Sequence, residues 1–571
     1  MEQIVIEETN TTNRVADIII DTLISLNVTH FFGIPGGPVS PIFHATWKHP
    51  KARLIESRQE TSAAFTAMGY HRACGNTPCV IVTAGPGATN VVTGVAAAAA
   101  EKTPMIVISG DVSWETSGKR LLQDSGPQGI NIDAMFQGIT RTIIRIRQAK
   151  SASAHIAEAL QIATNPKNPG PVLVIISIDK ASEKTTSPTI VVTPVIKMND
   201  HGVDMDLVKL IRDRLIKAER PLLVFGAGCR PFWHHLECLL FEFKIPFITT
   251  PRAKGIVNET HSCSLGHGGL AARAWAREYT RRGVDFALVI GTDLDDCSIG
   301  STSYIKDGGE LVHIDCNALV FNRNLPTSLG IVADIGVFLN QLTVAVQDIE
   351  VSLKPEIEEI KNNSPFDHQN FESDGSAIIT PYRALADLQH ACPDARFVTD
   401  IGEHMLFALH YLITTKPDRF TIHLGLGSMG SGICSSIGMA IGDQSSKVIC
   451  ICGDGGMQMS GMELMVAKMQ NLPILFAVFN DSRYNMVHHG FSQVYGENIP
   501  VETPLIDFRN WGLSMGINAE RINHPGDITS NMIDLLTKDG PAILDIRIDR
   551  NKRVVGGGRN EVLKQMSEPV K

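Results

Sequence analysis

Long apolar runs are missing from this sequence of 571 residues. No stretch approaches the roughly 18 uninterrupted apolar residues of a membrane span. The longest candidate, VVTGVAAAAA, is Ala-rich and ends at Glu101-Lys102. The opening MEQIVIEETNTTNRVADIII has no cationic segment ahead of its short apolar run, so no signal peptide is expected. Paired cysteine motifs are also missing. The 11 Cys are scattered, with no CxxC, which predicts buried thiols in a reducing cytoplasm rather than disulfides or zinc ligands. Positive charge is in deficit: 51 Lys and Arg face 60 Asp and Glu, for a net charge of −9. Aromatics are only 6% of the chain, and no basic cluster is interleaved with them. A nucleic-acid partner is therefore not expected.

What is present is an alternation of short β-rich runs with helix-length amphipathic segments. PCVIVTA, PMIVISG, PVLVIIS, PLLVFGAG, FALVIGT, ELVHID, KVICICGDG, ILFAVFN and AILDIRI read as strands. Runs apolar at every position fit strands buried on both faces, as in a parallel sheet covered by helices. The fold class is α/β, with three doubly wound parallel-sheet domains. Two stretches read as linkers: 183–203, rich in Thr and Pro, and a charged helix plus linker within 350–380. They bound domains at 1–185, 204–350 and 376–550. The first and third domains both end strands in Gly-rich turns.

The strongest local signal is KVICICGDGG at 447–456. A buried strand runs into Gly453-Asp454-Gly455-Gly456, and a helical pattern follows. Glycines let backbone N–H groups approach an anion at a helix start. A carboxylate at the same turn would repel a bare phosphate, so the pattern calls for a divalent cation such as Mg²⁺ between them. The next strand ends at Asn480, 26 residues after Asp454. A strand–helix–strand unit sets the two strand ends side by side. Asn480 can then offer a neutral oxygen to the same metal, and the turn at Ser482 a backbone carbonyl. Gly425-Leu-Gly427-Ser-Met-Gly430 also matches the dinucleotide pattern G-x-G-x-x-G. The strand before it is short, however, and Asp454 sits in its own Gly-rich turn.

GDG followed by this Asn resembles the diphosphate and Mg²⁺ signature of thiamine-diphosphate-dependent enzymes, in particular their acetolactate-synthase-like branch. GIPGGP at 33–38, SRQETSAAFTAMGY at 57–70 and TAGPGATNVVTG at 83–94 look like the family's pyrimidine-binding domain. TDIGEHM at 399–405 and GLGSMGSG at 425–432 look like its diphosphate-binding domain. The resemblance covers nearly the whole chain. It implies that Glu60 is the catalytic carboxylic acid that hydrogen-bonds the cofactor's pyrimidine and activates its thiazolium carbon. It implies that Pro35, Gly36 and Asn90 line the pyrimidine end. Gly427 offers a carbonyl to the 4′-amino group, and Met429 wedges the cofactor into its bent shape. Asp454, Gly455, Gly456, Asn480 and Met486 complete the cofactor set, with Asp454, Asn480 and Ser482 on the metal. Glu403 and His404 match a Gln-His pair at the diphosphate, where His404 is the expected donor. Glu403 departs from Gln by adding negative charge beside phosphate.

The reaction implied is decarboxylation of a 2-oxo acid followed by ligation to a second carbonyl, giving an acyloin or a 2-hydroxy-2-acyl acid. Simple decarboxylases of the superfamily carry a His pair in the first domain. The matching stretch here, GDVSWETSGKRLLQDSGPQGINIDAMF, has no His, which favours ligation. A simple 2-oxo-acid decarboxylase and an acetyltransferase acting on an aldehyde with phosphate remain the alternatives within the family, and a non-catalytic regulatory paralogue the alternative outside catalysis. Beyond the metal loop, Gly490 stands where biosynthetic relatives place Trp, so a roomier acceptor pocket is expected, with His488, His489 and Gln128 as candidate wall residues. FAD binds the middle domain of several members. It is disfavoured here, because the Asp295-Asp296 pair has no Arg near it in sequence. The family's active site lies between chains, so a homodimer or homotetramer is expected.

Overall fold

The computed structural model describes residues 5–7, 12–185, 189–191, 202–300, 304–347, 349 and 351–554. Much of the linker expected over 183–203 lies outside the described residues. Three six-stranded parallel sheets organise the chain. The first contains β1 (His30–Gly33), β2 (Arg53–Glu56), β3 (Cys79–Val82), β4 (Met105–Asp111), β5 (Ile143–Ile146) and β6 (Pro171–Ser177), in the order β2-β1-β3-β4-β6-β5. The second contains β7 (Pro221–Phe225), β8 (Phe247–Thr249), β9 (Ser264–His267), β10 (Val284–Ile290), β11 (Ile305–Asp315) and β12 (Leu329–Val332), in the order β9-β8-β7-β10-β11-β12. The third contains β13 (Arg396–Thr399), β14 (Phe420–Ile422), β15 (Val448–Gly453), β16 (Ile474–Asn480), β17 (Asn518–Ile522) and β18 (Ala542–Arg547), in the order β14-β13-β15-β16-β18-β17. The outer two sheets thus share one strand order, and the middle sheet has another.

Each of the nine expected strands is present. The two-sided burial is visible along β15: Val448, Cys450 and Cys452 enter a core shared by the first and third domains, whereas Ile449 and Ile451 enter the core on the opposite face. Both faces are covered, so every position is apolar.

Four helices position the site: α1 (Glu60–Cys74), α2 (Glu403–Tyr411), α3 (Ser431–Gly442) and α4 (Asn485–Tyr495). The Gln59 side chain caps α1 by accepting from Ser62 N at 3.1 Å, and Gly75 ends it in a left-handed turn at φ 75°. α1 and α3 each follow the second strand of their domain, and they pack against each other. The approach is backbone to backbone. A Cβ on Gly69 would run into the Ser435 carbonyl, and one on Gly438 into the Thr66 carbonyl. Only glycine permits that spacing.

Asp418 joins all three domains, contacting Arg72 of the first, Arg230 of the second and Arg396 of its own. In the middle domain the tertiary fold brings an arginine to the acidic pair that lacks one in sequence: Arg252 Nη2 lies 2.7 Å from Asp295. Among the described residues, no helix is long and apolar enough to cross a membrane.

Candidate active site

The site is built where strands end. In the third sheet Gly453 of β15 pairs with Phe479 of β16, so the next residues, Asp454 and Asn480, leave adjacent parallel strands side by side. Asp454 accepts from Gly455 N at 2.9 Å and from Thr503 Oγ1 at 3.3 Å. Asn480 spends its amide N–H groups on the Ile506 carbonyl at 2.9 Å and on Asp545 at 2.8 Å. Its Oδ1 is buried with no partner, as is Ser482 Oγ. The Ser482 carbonyl accepts from Thr503 N at 2.9 Å, which leaves it one lone pair. A buried oxygen without a donor costs about 1–3 kcal/mol unless something else satisfies it. A carboxylate, an amide oxygen and a turn are hard oxygen donors that fit Mg²⁺. Among the described residues, no cluster of three or more His, Cys, Asp or Glu is arranged for a softer metal.

These strand ends open into a cavity of about 680 Å³. Its walls include Glu403, His404, Gly427, Met429, the Gly453–Gly456 turn, Asp481, Met486 and Gly490. The turn depends on glycine: a Cβ on Gly456 would strike the Asp400 carboxylate, and one on Gly455 would lie 2.7 Å from Tyr484 and 3.1 Å from Met429. Asp400, which no motif singled out, accepts from Gly430 N and Gly432 N, each at 2.9 Å. It thereby ties the loop after β13 to the start of α3. Burial pushes Asp400 up to about 6. Burial first, and then the neighbouring charge of Asp454, pushes Asp481 up to about 7. Burial also raises Asp454. The pocket therefore favours cations.

Two expectations change in the structure. His404 Nε2 lies 3.0 Å from the Asp400 carbonyl, which can only accept, so Nε2 carries the proton. Burial lowers the ring to about 4 and keeps it neutral. Its Nδ1 is then an acceptor, so in this arrangement His404 does not donate to a phosphate. Glu403, the residue whose charge looked unfavourable, has a partner: its Oε1 lies 2.6 Å from His489 Nδ1. His489 is buried behind the wall, while Gly490 lines the cavity.

The first-domain residues form a second, separate group. Glu60 is 8% exposed at the start of α1, and its Oε2 accepts from Asn90 Nδ2 at 3.0 Å. A Cβ on Gly87 would lie 3.5 Å from Glu60 Oε1, and one on Gly36 would clash with Thr83, so the two Gly-rich turns and the start of α1 converge. Pro35 and Asn90 are exposed. Gln128 is also exposed, with its Oε1 near Gly118. The glutamine packed on the Gly85 turn is Gln123, which holds a left-handed φ of 68°. His488 is half-buried, with its Nδ1 unpartnered. No first-domain residue lines the cavity. Phe491, which a one-residue shift in the spacing would put at the wall, does line the cavity, and sequence reasoning missed the aromatic members Phe407, Phe479, Tyr484 and Tyr495.

Comparison with known proteins agrees with this geometry. Three domain models of one family match the chain in order: thiamine pyrophosphate enzyme, N-terminal TPP binding domain, over 13–134; central domain, over 208–342; and C-terminal TPP binding domain, over 400–546. A probable acetolactate synthase large subunit from Methanocaldococcus jannaschii is 28% identical over 558 residues, covering 94% of this chain and 92% of its own. The acetolactate synthase isozyme 2 large subunit of Escherichia coli is 27% identical over 570 residues, covering 97% and 100%. An acetolactate synthase from Arthrospira platensis is 28% identical over 557 residues, covering 94% of each. With the three domain models matching in sequence order, this chain belongs to the thiamine pyrophosphate enzyme family.

Proposed function

We propose that the chain is a thiamine-diphosphate-dependent carboligase that decarboxylates one 2-oxo acid and joins the acyl unit to a second carbonyl. The observation that carries this reading is that Asp454, which lines the cavity, leaves its strand beside Asn480, whose Oδ1 is buried and unpartnered. Asp454, Asn480 Oδ1 and the Ser482 turn would hold Mg²⁺, which would bridge to the diphosphate over Gly455 and Gly456. Gly427, Met429, Met486 and His404 would line the rest of the cofactor. When bound, thiamine diphosphate supplies the nucleophilic carbon that attacks the 2-oxo acid and the electron sink for loss of CO₂.

Glu60 would hold a proton at the pyrimidine ring, oriented by its bond from Asn90. Because Glu60 and the cavity lie in separate groups within one chain, a second copy must bring a first-domain surface to the cavity. Apolar side chains are exposed beside both groups: Leu121 and Leu122 near the Gly85 turn, and Phe491 and Tyr495 at the cavity mouth. This pattern supports a homodimer or a homotetramer.

Gly490 in the wall, with Phe491 and Tyr495 beyond it, supports an acceptor larger than pyruvate. The relatives' printed names support ligation of small 2-oxo acids, and the wall argues for a broader choice here. Product analysis with pyruvate and with aromatic 2-oxo acids tests this. Ligated acyloin or 2-hydroxy-2-acyl acid is expected, and aldehyde alone would overturn the reading. Gly490→Trp should reduce turnover of bulky acceptors by roughly 10–200-fold and pyruvate coupling much less. Equal loss on both would show that Gly490 does not shape the acceptor space.

A further inference from the structure

Glu403 and His489 have no part in the reading above, yet they are built as a unit. They lie 86 residues apart in sequence, on α2 and α4, with Oε1 and Nδ1 at 2.6 Å. Their side chains are only 9% and 7% exposed. The second oxygen, Glu403 Oε2, is buried and unpartnered, on a residue that lines the cavity. The surrounding charges cannot replace His489. His404, on the same helix, is neutral and bonded to the Asp400 carbonyl. Arg483 donates to Asn485 Oδ1 at 2.9 Å and to the Arg550 carbonyl at 2.8 Å. Asp454, Asp481 and Glu502 add negative charge. Among the described residues, Tyr484, His488 and Arg550 make no hydrogen bond to the Glu403 carboxylate.

An anionic diphosphate entering this cavity meets an acceptor-only atom at Glu403 Oε2, and phosphate oxygens are also acceptors. Contact between them requires a proton. The pair can hold one at net zero charge in two ways. Either His489 is an imidazolium facing a carboxylate, or Glu403 is protonated on Oε2 while neutral His489 donates its Nδ1–H to Oε1. The second form turns Oε2 into a donor aimed at the cavity. We propose that Glu403 and His489 form one proton-sharing unit that receives the anionic end of the cofactor through Glu403 Oε2, with His489 as the positioning residue. Binding to the pair in its deprotonated form must then take up a proton. The proposal rests on the cavity being the cofactor site.

The test is calorimetric titration of the whole enzyme with thiamine diphosphate at saturating Mg²⁺. Buffers of different ionisation enthalpy are used between about pH 6 and 9. Wild type is expected to take up protons at the alkaline end, with affinity falling by up to about tenfold per pH unit. Glu403→Gln supplies a fixed N–H donor of the same shape, so it should bind at least as tightly and lose that proton uptake. His489→Gln leaves Glu403 charged and alone, and should bind about tenfold more weakly or worse. The double variant should recover to within about threefold of Glu403→Gln. Proton uptake in Glu403→Gln equal to wild type, or a double variant no better than His489→Gln, would overturn the proposal. Glu403→Gln decides the matter even if His489→Gln fails to fold. Absence of binding by wild type would instead defeat the placement of the cofactor.

Discussion

The first and third domains are built on the same strand order, and they do different things with it. In both, the loops after the first four strands carry the residues of interest, as expected where ligands gather at the carboxyl ends of a parallel sheet. In the first domain the loop after the second strand delivers a buried carboxylic acid, Glu60, held by a single amide from Asn90. In the third domain the corresponding loop delivers glycines and Met429, and the acid moves to the loop after the third strand as Asp454, beside an unpartnered amide oxygen. In the reading proposed above, one surface would hold a proton and the other a cation. The backbone scaffold is indifferent to which, so the difference lies entirely in a few side chains at strand ends.

The comparison can be broken at either end. The largest effect is expected from Asp454→Ala, which removes the carboxylate that lines the cavity beside Asn480. Mg²⁺-dependent binding of thiamine diphosphate should fall below detection by calorimetry, and full retention would show that the third-domain strand ends hold no cation. Glu60→Gln should leave cofactor binding intact but slow hydrogen–deuterium exchange at the thiazolium carbon by roughly 100-fold or more. An unchanged exchange rate would remove the contrast between the two domains.

The relative placement of the domains can be tested next. Burial alone would raise Asp418, but Arg72, Arg230 and then Arg396 outweigh it and hold the carboxyl down at about 2, against its ordinary 3.8. A depressed carboxyl stabilises the fold above its unfolded value and loses that contribution as pH falls through the folded one. The three-domain junction should therefore weaken between about pH 4 and 2. Asp418→Asn should cost about 1–3 kcal/mol at neutral pH, and the gap in Tm from wild type should close over that acid range. A gap independent of pH would mean that packing rather than charge is lost. The smallest effect concerns the α1–α3 crossing. Gly69→Ala should cost about 1–3 kcal/mol through overpacking against the Ser435 carbonyl. Gly75→Ala, where no atom lies within 4 Å of an added Cβ, should cost only the roughly 1 kcal/mol of a left-handed cap. Equal melting temperatures for the two variants would refute the close backbone approach.

Ten of the eighteen strands in these three sheets were legible in the sequence, the short strand before Gly425 included, and of the eight missed five, β2, β5, β9, β12 and β17, lie at sheet edges. Ile143–Ile146 alternates half-exposed with buried positions, and Leu329–Val332 half-exposed with exposed ones. They are too short and too mixed to stand out from loops. The central strands are apolar throughout because helices cover both faces, and that signal is local.

The adjacency of Asp454 and Asn480 was legible for the same reason: they end neighbouring buried strands whose connection is short enough to set them side by side. Nothing local announces that Glu403 meets His489, that Arg252 reaches Asp295, that the His404 proton goes to a carbonyl, or that Glu60 and the cavity stay apart within one chain. The sequence by itself determined the chemistry available at each strand end, through residue type and the periodicity that buries the strands. Only the tertiary structure decided which of those groups share protons or charge. Such pairing depends on distances of a few ångströms between elements far apart in the chain, and those distances are set by how the sheets and helices pack.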